Sequence, residues 1–302
     1  MWWLFGGRRL RKKGVLGINA RNARCILPHN PRGRIPIVDD KLQMAELCTR
    51  IGIPTPQIYG VISSRADLGS LREILFGRDE FVVKPASGAG GRGIMVITRR
   101  IADRFQKSNG MWIDLHDLRI HIADALTGMF SLSGLPDRVL IQRRIRPHNA
   151  FESIAPRGLP DIRVVLYRFE PVMAMLRLPT LASNGRANLH QGGIGVGVDL
   201  ESGQTHHARL GSRSIERHPD TGQQIIGWTI PDWWNVLAMV CRTARGVGLG
   251  FIGIDVVIDQ SEGPLVLEAN ARPGLAIQVA NDNGMRNVIE CIDTRLDVAQ
   301  SQ

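Results

Sequence analysis

The sequence predicts a mixed fold, α/β or α+β, and three observations predict it. Short apolar runs joined by polar or glycine-rich turns recur at 81–97, 162–178 and 253–270, as strand pairs do. Between them, 112–128 and 231–248 carry apolar residues at helical spacing. The chain also has 33 glycines and only 5% aromatic residues, which implies many turns and close backbone approaches. With 302 residues, 43% of them hydrophobic, it is long enough for one large domain or two lobes with a proper core.

Taken in order, residues 1–38 form a short basic segment, rich in Pro, Asn and Gly, that reads as loop and turn. Its start, MWWLFGGRRLRKK, is apolar for a few residues before the basic run Arg8–Lys13. A secretory signal has the opposite order. A solvated arm is the preferred reading of Trp2, Trp3 and the basic run, ahead of contact with a bilayer surface or a partner. In DDKLQMAELCTRIGIPTP, Asp39 or Asp40 can cap a helix, Leu42, Ala45, Leu47 and Cys48 give its apolar stripe, and Gly52 and Pro54 end it. GSLREILFG is a second short helix candidate. Phe81–Lys84 is a strand, 85–93 a glycine-rich loop and 94–97 the returning strand. Residues 112–128 read as one amphipathic helix, and Val139–Ile145 as a buried strand. Ile162–Phe169 and Val172–Leu178 form a hairpin turning at Glu170 and Pro171. NLHQGGIGVGVDL is a polar entry into a glycine-spaced strand. Residues 231–248 form a helix with Asp232 near its start and Gly246 near its end. Gly253–Ile258 and Leu265–Asn270, joined by DQSEG, pair antiparallel.

The formal net charge is +10, and five of the 38 basic residues are lysines, so 33 are arginine. Apart from Arg8–Lys13 they are scattered, which argues against a dedicated nucleic-acid face and for anionic substrates. Cys25, Cys48, Cys241 and Cys291 form no CxxC pair, which fits a reducing compartment; a cytoplasmic location is expected. No stretch approaches the ~20 apolar residues of a membrane helix.

The chemistry is concentrated in two places. In GPLVLEANARPG an apolar strand runs into Glu268, Asn270 and Arg272 on alternate positions, hence on one face. Asp255, set among apolar residues of the neighbouring strand, can lie across from Glu268. Two such carboxylates repel unless a cation or a proton intervenes. A magnesium pair bridging nucleotide phosphates satisfies Asp255, Glu268 and Asn270 together; the competing reading pairs a carboxylate with an arginine such as Arg272. The second place is Lys84, which ends an apolar strand before a loop containing Gly88, Gly90, Gly91 and Gly93. Such a loop lets backbone N–H groups approach phosphate oxygens. It is neither a Walker A nor a Rossmann pattern, because no helix starts at its end.

With these residues in view the sequence resembles the ATP-grasp enzymes, and most closely the α-L-glutamate ligase-like branch related to ribosomal-protein glutamate ligases. DDKL, FVVKPASGAGGRGI, PDIRVV, AMLRLPT, ANLHQGGIGVG, GIDVVID and LEANARPG carry the resemblance, in the family's order. It implies an α+β ATP-grasp fold spanning 39–295, with a lid lobe over roughly 77–141 and a catalytic lobe over roughly 142–295 clamping ATP. It implies a cytoplasmic ATP- and magnesium-dependent carboxylate–amine ligase that forms an amide through an acylphosphate. The acid is expected to be glutamate or a similar amino acid, and the acceptor a peptide, protein or small amine. Asp255, Glu268 and Asn270 match the ligands of two magnesium ions, for which manganese can substitute. Lys84, Ser87, Gly88, Gly90 and Gly91 match the phosphate-contacting lysine and the mobile loop. Gln142, Arg143 and Ile145 match the segment that meets adenine, and Lys41 a second phosphate-contacting lysine. Arg163, Arg177 and Arg272 are the candidates for gripping the acid or the transferring phosphate, and Asn188 and His190 for positioning the acyl or amine group.

Three departures bear on this expectation. The segment before DDKL is far shorter than the N-terminal domain of most such ligases, so part of the acceptor surface is expected from elsewhere, a homo-oligomer included. Gly253 stands where D-alanine–D-alanine ligases carry an arginine, and Ala45 where a lysine is common. The alternatives are an ATP-grasp phosphotransferase, a catalytically silent nucleotide-binding module and, behind them, a basic nucleic-acid or membrane scaffold.

Overall fold

The computed structural model describes residue 10 and residues 12–88, 90–131 and 134–300. Trp2, Trp3, Arg8, Arg9 and Arg11 of the basic arm and Ala89 of the glycine loop lie outside the described residues. Among the described residues thirteen strands form two antiparallel sheets, each with its own helices, an α+β arrangement. The chain divides into two compact units. The smaller comprises Asp40–Glu46 and Thr55–Ile145, and the larger Met1–Asp39, Leu47–Pro54 and Arg146–Gln302.

The smaller unit contains β1 (Ile58–Ile62), β2 (Phe81–Pro85), β3 (Met95–Ile101), β4 (Arg104–Lys107), β5 (Trp112–Asp114) and β6 (Val139–Gln142). Their order is β1-β6-β2-β3-β4-β5, so β2 lies between β6 and β3 and is buried along its length. Phe81, Val83, Ile97 and Phe105 build the core with Leu118 and Ile122 of the helix Leu115–Leu126. The helical period over 112–128 proves to be a strand followed by a helix. Asp114 explains the break: it is extended, its Oδ1 accepts from Asp117 N, and its own N–H donates back to Asp117 Oδ2, a capping box.

The larger unit contains β7 (Asp161–Tyr167), β8 (Glu170–Leu178), β9 (Ile194–Val198), β10 (Thr205–Leu210), β11 (Arg213–Ser214), β12 (Phe251–Asp259) and β13 (Gly263–Asn270), in the order β11-β10-β9-β8-β7-β12-β13. The β7–β8 hairpin turns at Arg168 and Phe169, not at Glu170 and Pro171. Both turn residues have positive φ, 48° and 69°, as a tight hairpin turn demands. The β12–β13 turn is built by Asp259, whose Oδ1 accepts from Ser261 N at 2.9 Å, Ser261 Oγ at 2.7 Å and Glu262 N at 3.1 Å. Burial acts to raise this carboxyl, but these hydrogen bonds and that from Arg146 N hold it at about 2. The helix Trp233–Val247 starts after Asp232, which lies in the left-handed region and bonds Asn235 Nδ2 rather than a helix N–H.

Residues 18–39 are helical for most of their length, where the sequence reads as loop. Ile18–Ala20, the π-turn Arg21–Ile26 and Leu27–His29 run on from one another, followed by Ile35–Asp39. Sequence period misses them because the π-turn breaks the 3.6-residue repeat and because tertiary packing holds the segment. Leu16, Cys25 and Ile26 enter the core with Phe251, Ile277, Met285 and Ile289. Asn30, 5% exposed, keys the segment to the sheet: its Nδ2 donates to Phe251 O at 2.8 Å and Ala271 O at 3.2 Å, and its Oδ1 accepts from Phe251 N at 2.8 Å. No helix among the described residues is long and apolar enough to cross a membrane.

Candidate active site

The larger unit carries a patterned row of charges on one face of its sheet. Asp255 of β12 lies directly opposite Arg163 of β7 on one side and Glu268 of β13 on the other. One row on, Asp161 of β7 lies opposite Arg177 of β8. Asn270, two residues beyond Glu268, lies opposite Gly253. The strands thus bring Asp255, Glu268 and Asn270 to one face. The register slips between Asp255 and Val256, so Leu267 is an inserted residue, a bulge immediately before Glu268. It breaks the burial alternation: Leu265 and Val266 are both buried and Leu267 and Glu268 both half-buried. The bulge thereby re-aims β13 where its polar residues begin.

Asp255, 3% exposed, is held by two guanidinium groups. Arg163 Nε donates to Oδ1 at 2.7 Å and Nη2 to Oδ2 at 2.6 Å, a bidentate fork. Arg177 Nη2 donates to Oδ2 at 2.7 Å, while its Nε donates to Asp161 Oδ1. Burial pushes both carboxyls up. For Asp255 the charges and hydrogen bonds of Arg163 and Arg177 win, and its pKa lies below the usual range. Asp161, with one guanidinium and the negative Asp255 nearby, is pushed up to about 6. Burial opposes the charge on Arg177, but the two carboxylates hold it protonated beyond its ordinary range.

The oxygen donors suit a divalent cation. Glu268 has no side-chain hydrogen bond or ion pair among the described residues, and Asn270 Nδ2 is buried without a partner. Rotating that amide by half a turn exchanges its nitrogen and oxygen. The three guanidinium bonds leave Asp255 one of its roughly four lone-pair sites, on Oδ1. Among the described residues no three His, Cys, Asp or Glu side chains group so as to hold a metal ion, and the Asn270 amide is the oxygen donor available beside Asp255 and Glu268. Gly253 shows why this strand carries no arginine there: a Cβ would stand 2.6 Å from Pro273 Cβ.

Arg272 is exposed and has no hydrogen bond or ion pair among the described residues. Arg21 donates to Pro273 O at 3.0 Å, and burial followed by the charge of Arg272 lowers its pKa. The two cations flank the strand end. Asn188 caps the 3-10 turn Leu189–Gln191, accepting from His190 N at 3.0 Å, and the His190 side chain is exposed.

In the smaller unit, Lys84 is 6% exposed near the end of β2, just before the glycine loop. The loop is fastened at several points. Asp137 Oδ1 and Oδ2 accept from Ser87 N at 3.1 and 3.0 Å, and the same carboxylate accepts from Ser131 Oγ and Arg138 N. Lys41 opens the helix Lys41–Arg50, capped by Asp40; its N–H donates to Ala86 O, and its Nζ to Gly88 O and Ala86 O. His121 Nε2 meets Gly93 O at 3.0 Å. Between these ties Gly90 and Gly91 take positive φ, 64° and 74°, the freedom a tight turn needs. Ser87 N–H is committed to Asp137. Gln142 pairs with both Ile58 and Val82, Arg143 N–H donates to Gln57 O at 2.8 Å, and Ile145 is buried.

Asp137, Asp161 and Arg21 were not singled out by sequence. Asp161 stands inside PDIRVV, and its position two residues before Arg163 was the available signal. Asp137 precedes β6 with no motif to mark it.

A family model described as sugar-transfer associated ATP-grasp matches residues 20–294. A probable α-L-glutamate ligase of Sodalis glossinidius is 26% identical over 294 residues, covering 97% of this chain and 74% of that protein. A probable α-L-glutamate ligase 1 of Shewanella denitrificans is 25% identical over 264 residues, covering 87% and 67%. Among solved structures, a D-cycloserine synthetase matches with a TM-score of 0.51 at 17% identity over 88% of this chain and 73% of that one, a likeness of fold alone.

Proposed function

The chain belongs to the sugar-transfer associated ATP-grasp family, and from that premise we propose that it is an ATP-dependent carboxylate–amine ligase. The observation that supports the reading most directly is the row Arg163–Asp255–Glu268, with Asn270 one step on, across β7, β12 and β13. The relatives named as probable α-L-glutamate ligases make glutamate or a similar amino acid the first acid to test.

A carboxylate is a poor electrophile because its leaving group would be oxide. In the proposed reaction an oxygen of the acid attacks the γ-phosphorus of ATP, ADP leaves, and an acylphosphate forms. The amine nitrogen then attacks the carbonyl carbon, the bond to the phosphate oxygen breaks, and the amine loses a proton to give the amide. Magnesium, held by Glu268, Asn270 and the remaining lone pair of Asp255, would offset charge on the phosphate oxygens. Arg163 and Arg177 keep Asp255 ionised and in place, as fixed cations in a water-poor setting. Arg272, with Arg21 beside it, is the guanidinium assigned to the acid substrate. Lys84 and the glycine loop would contact and cover the phosphates, shielding the acylphosphate from water.

The test is a coupled ADP-release screen of amino acids, alone and paired with amines, with mass spectrometry of the product. ADP release that needs both acid and amine, with an amide product, supports the ligase. Stable phosphorylated product from a single substrate would make it a phosphotransferase. Tight ATP binding without turnover would make it a binding module.

A further inference from the structure

The charge excess of this protein sits in one segment. Residues 1–38 hold nine Lys and Arg side chains and no Asp or Glu; the other 264 residues, with 29 basic and 28 acidic side chains, sum to +1. Elsewhere the arginines are matched almost one for one by carboxylates, so their scatter hides a strongly cationic N-terminal segment.

The described part of that segment is folded and pairs its cations with uncovered apolar side chains. The helical run from Ile18 to His29 buries Cys25 and Ile26 in the core of the larger unit and leaves Ile18, Arg24 and Leu27 outside. Ile18 is 62% exposed and Leu27 70%, with Leu10 at 53% just upstream. Lys13 and Arg24 are engaged by Asp282 and Glu290. Lys12, Arg32 and Arg34 are exposed and have no ion pair among the described residues. Asn30 ties the run to Phe251 and Ala271, so this surface is a fixed part of the unit that carries Asp255 and Glu268. In sequence, Trp2, Trp3, Leu4 and Phe5 extend the same mixture of apolar and cationic residues upstream.

Exposed apolar side chains and cations without ion pairs among the described residues, carried by one segment that has no acid, match the headgroup region of an anionic bilayer. The cations meet lipid phosphates while the apolar side chains enter the acyl boundary. Nucleic acid would use the cations but gains nothing from an uncovered Ile18 and Leu27. We propose that Lys12, Ile18, Leu27, Arg32 and Arg34 belong to a docking surface for an anionic lipid bilayer, one that holds the larger unit at the membrane without crossing it. The proposal does not depend on which reaction the protein catalyses.

Co-sedimentation of the full chain with vesicles tests it, using phosphatidylcholine alone and phosphatidylcholine mixed with phosphatidylglycerol. The chain should bind the anionic vesicles and not the neutral ones. Binding should weaken steeply between about 0.1 M and about 1 M salt, over which the screening length falls from ~10 Å to ~3 Å. Arg32→Glu with Arg34→Glu should lower the partition roughly tenfold or more, and Ile18→Ser with Leu27→Ser should lower it even at low salt. All four side chains lie on the surface, and unchanged circular dichroism and urea midpoints would show that the variants are folded. Failure to bind anionic vesicles, or binding that neither pair alters, overturns the proposal. So does duplex-DNA binding as tight as vesicle binding that the Ile18 and Leu27 changes leave intact.

Discussion

Arg163 grips Asp255 with both ends of its fork, Nε to Oδ1 at 2.7 Å and Nη2 to Oδ2 at 2.6 Å, across directly opposed positions of β7 and β12. A buried carboxylate at a candidate metal site is thereby neutralised in advance. Arg177 joins the same carboxylate to Asp161, so four side chains of three strands, none more than 14% exposed, form one ionic group. Removing any member changes the protonation and placement of the others.

Arg177→Met should be among the most destabilising single changes in the larger unit. It leaves Asp161 without its guanidinium and Asp255 with one, a loss of about 3 kcal/mol. Asp161→Asn, which removes a buried charge already close to protonation, should cost much less. Urea denaturation of the two variants checks the order.

Glu268→Gln should behave in the opposite way. Its side chain has no partner among the described residues and is half-buried, so the stability change should stay within about 0.5 kcal/mol. Turnover should fall at least tenfold, about 1.4 kcal/mol in transition-state stabilisation. Wild-type turnover would remove Glu268 from the metal set.

Gly253→Ala tests the packing behind the site. The new methyl group would sit 2.6 Å from Pro273 Cβ, in a ring that has little room to yield. Overpacking of this kind costs roughly 1–3 kcal/mol. A lowered melting temperature reads it out.

Asp137→Ala should loosen the glycine loop. Ser87 N–H, Ser131 Oγ and Arg138 N–H would all lose their acceptor. Two effects are expected: a stability loss of roughly 1–3 kcal/mol and a raised KM for ATP, and Asp137→Asn should recover part of each.

Acid stability should depend on Asp259. Its folded pKa of about 2 lies below the ordinary carboxyl value of 3.8. The stabilisation is therefore complete above about pH 4 and is lost as pH falls towards 2. It amounts to roughly 1–2 kcal/mol. Asp259→Asn should flatten the stability–pH curve in that window and leave the slope above pH 5 unchanged.

The sequence by itself determined the strand pairs and the face they share. Side-chain alternation and a short turn suffice to make the two strands antiparallel neighbours and to put Glu268 and Asn270 on one face, but an unbroken register from the Asp259–Gly263 turn would set Asp255 opposite Leu267, and it is the bulge there that brings Glu268 across. The glycine loop after Lys84 was legible for a similar reason: four glycines in six residues, 88–93, mark the backbone freedom of that loop directly. Tertiary structure decided everything that joins residues distant in the chain. Arg177 and Asp161 are strand neighbours only because β7 and β8 turn at Arg168 and Phe169, and the pairing of Asp255 with Arg163 requires β12 to insert beside β7, 92 residues away. The Leu267 bulge, the anchoring of the loop by Asp137 and the burial of Cys25 and Ile26 are likewise products of packing. Local sequence carries period and turn chemistry, whereas the partner of a buried charge is fixed by which strands the fold makes adjacent.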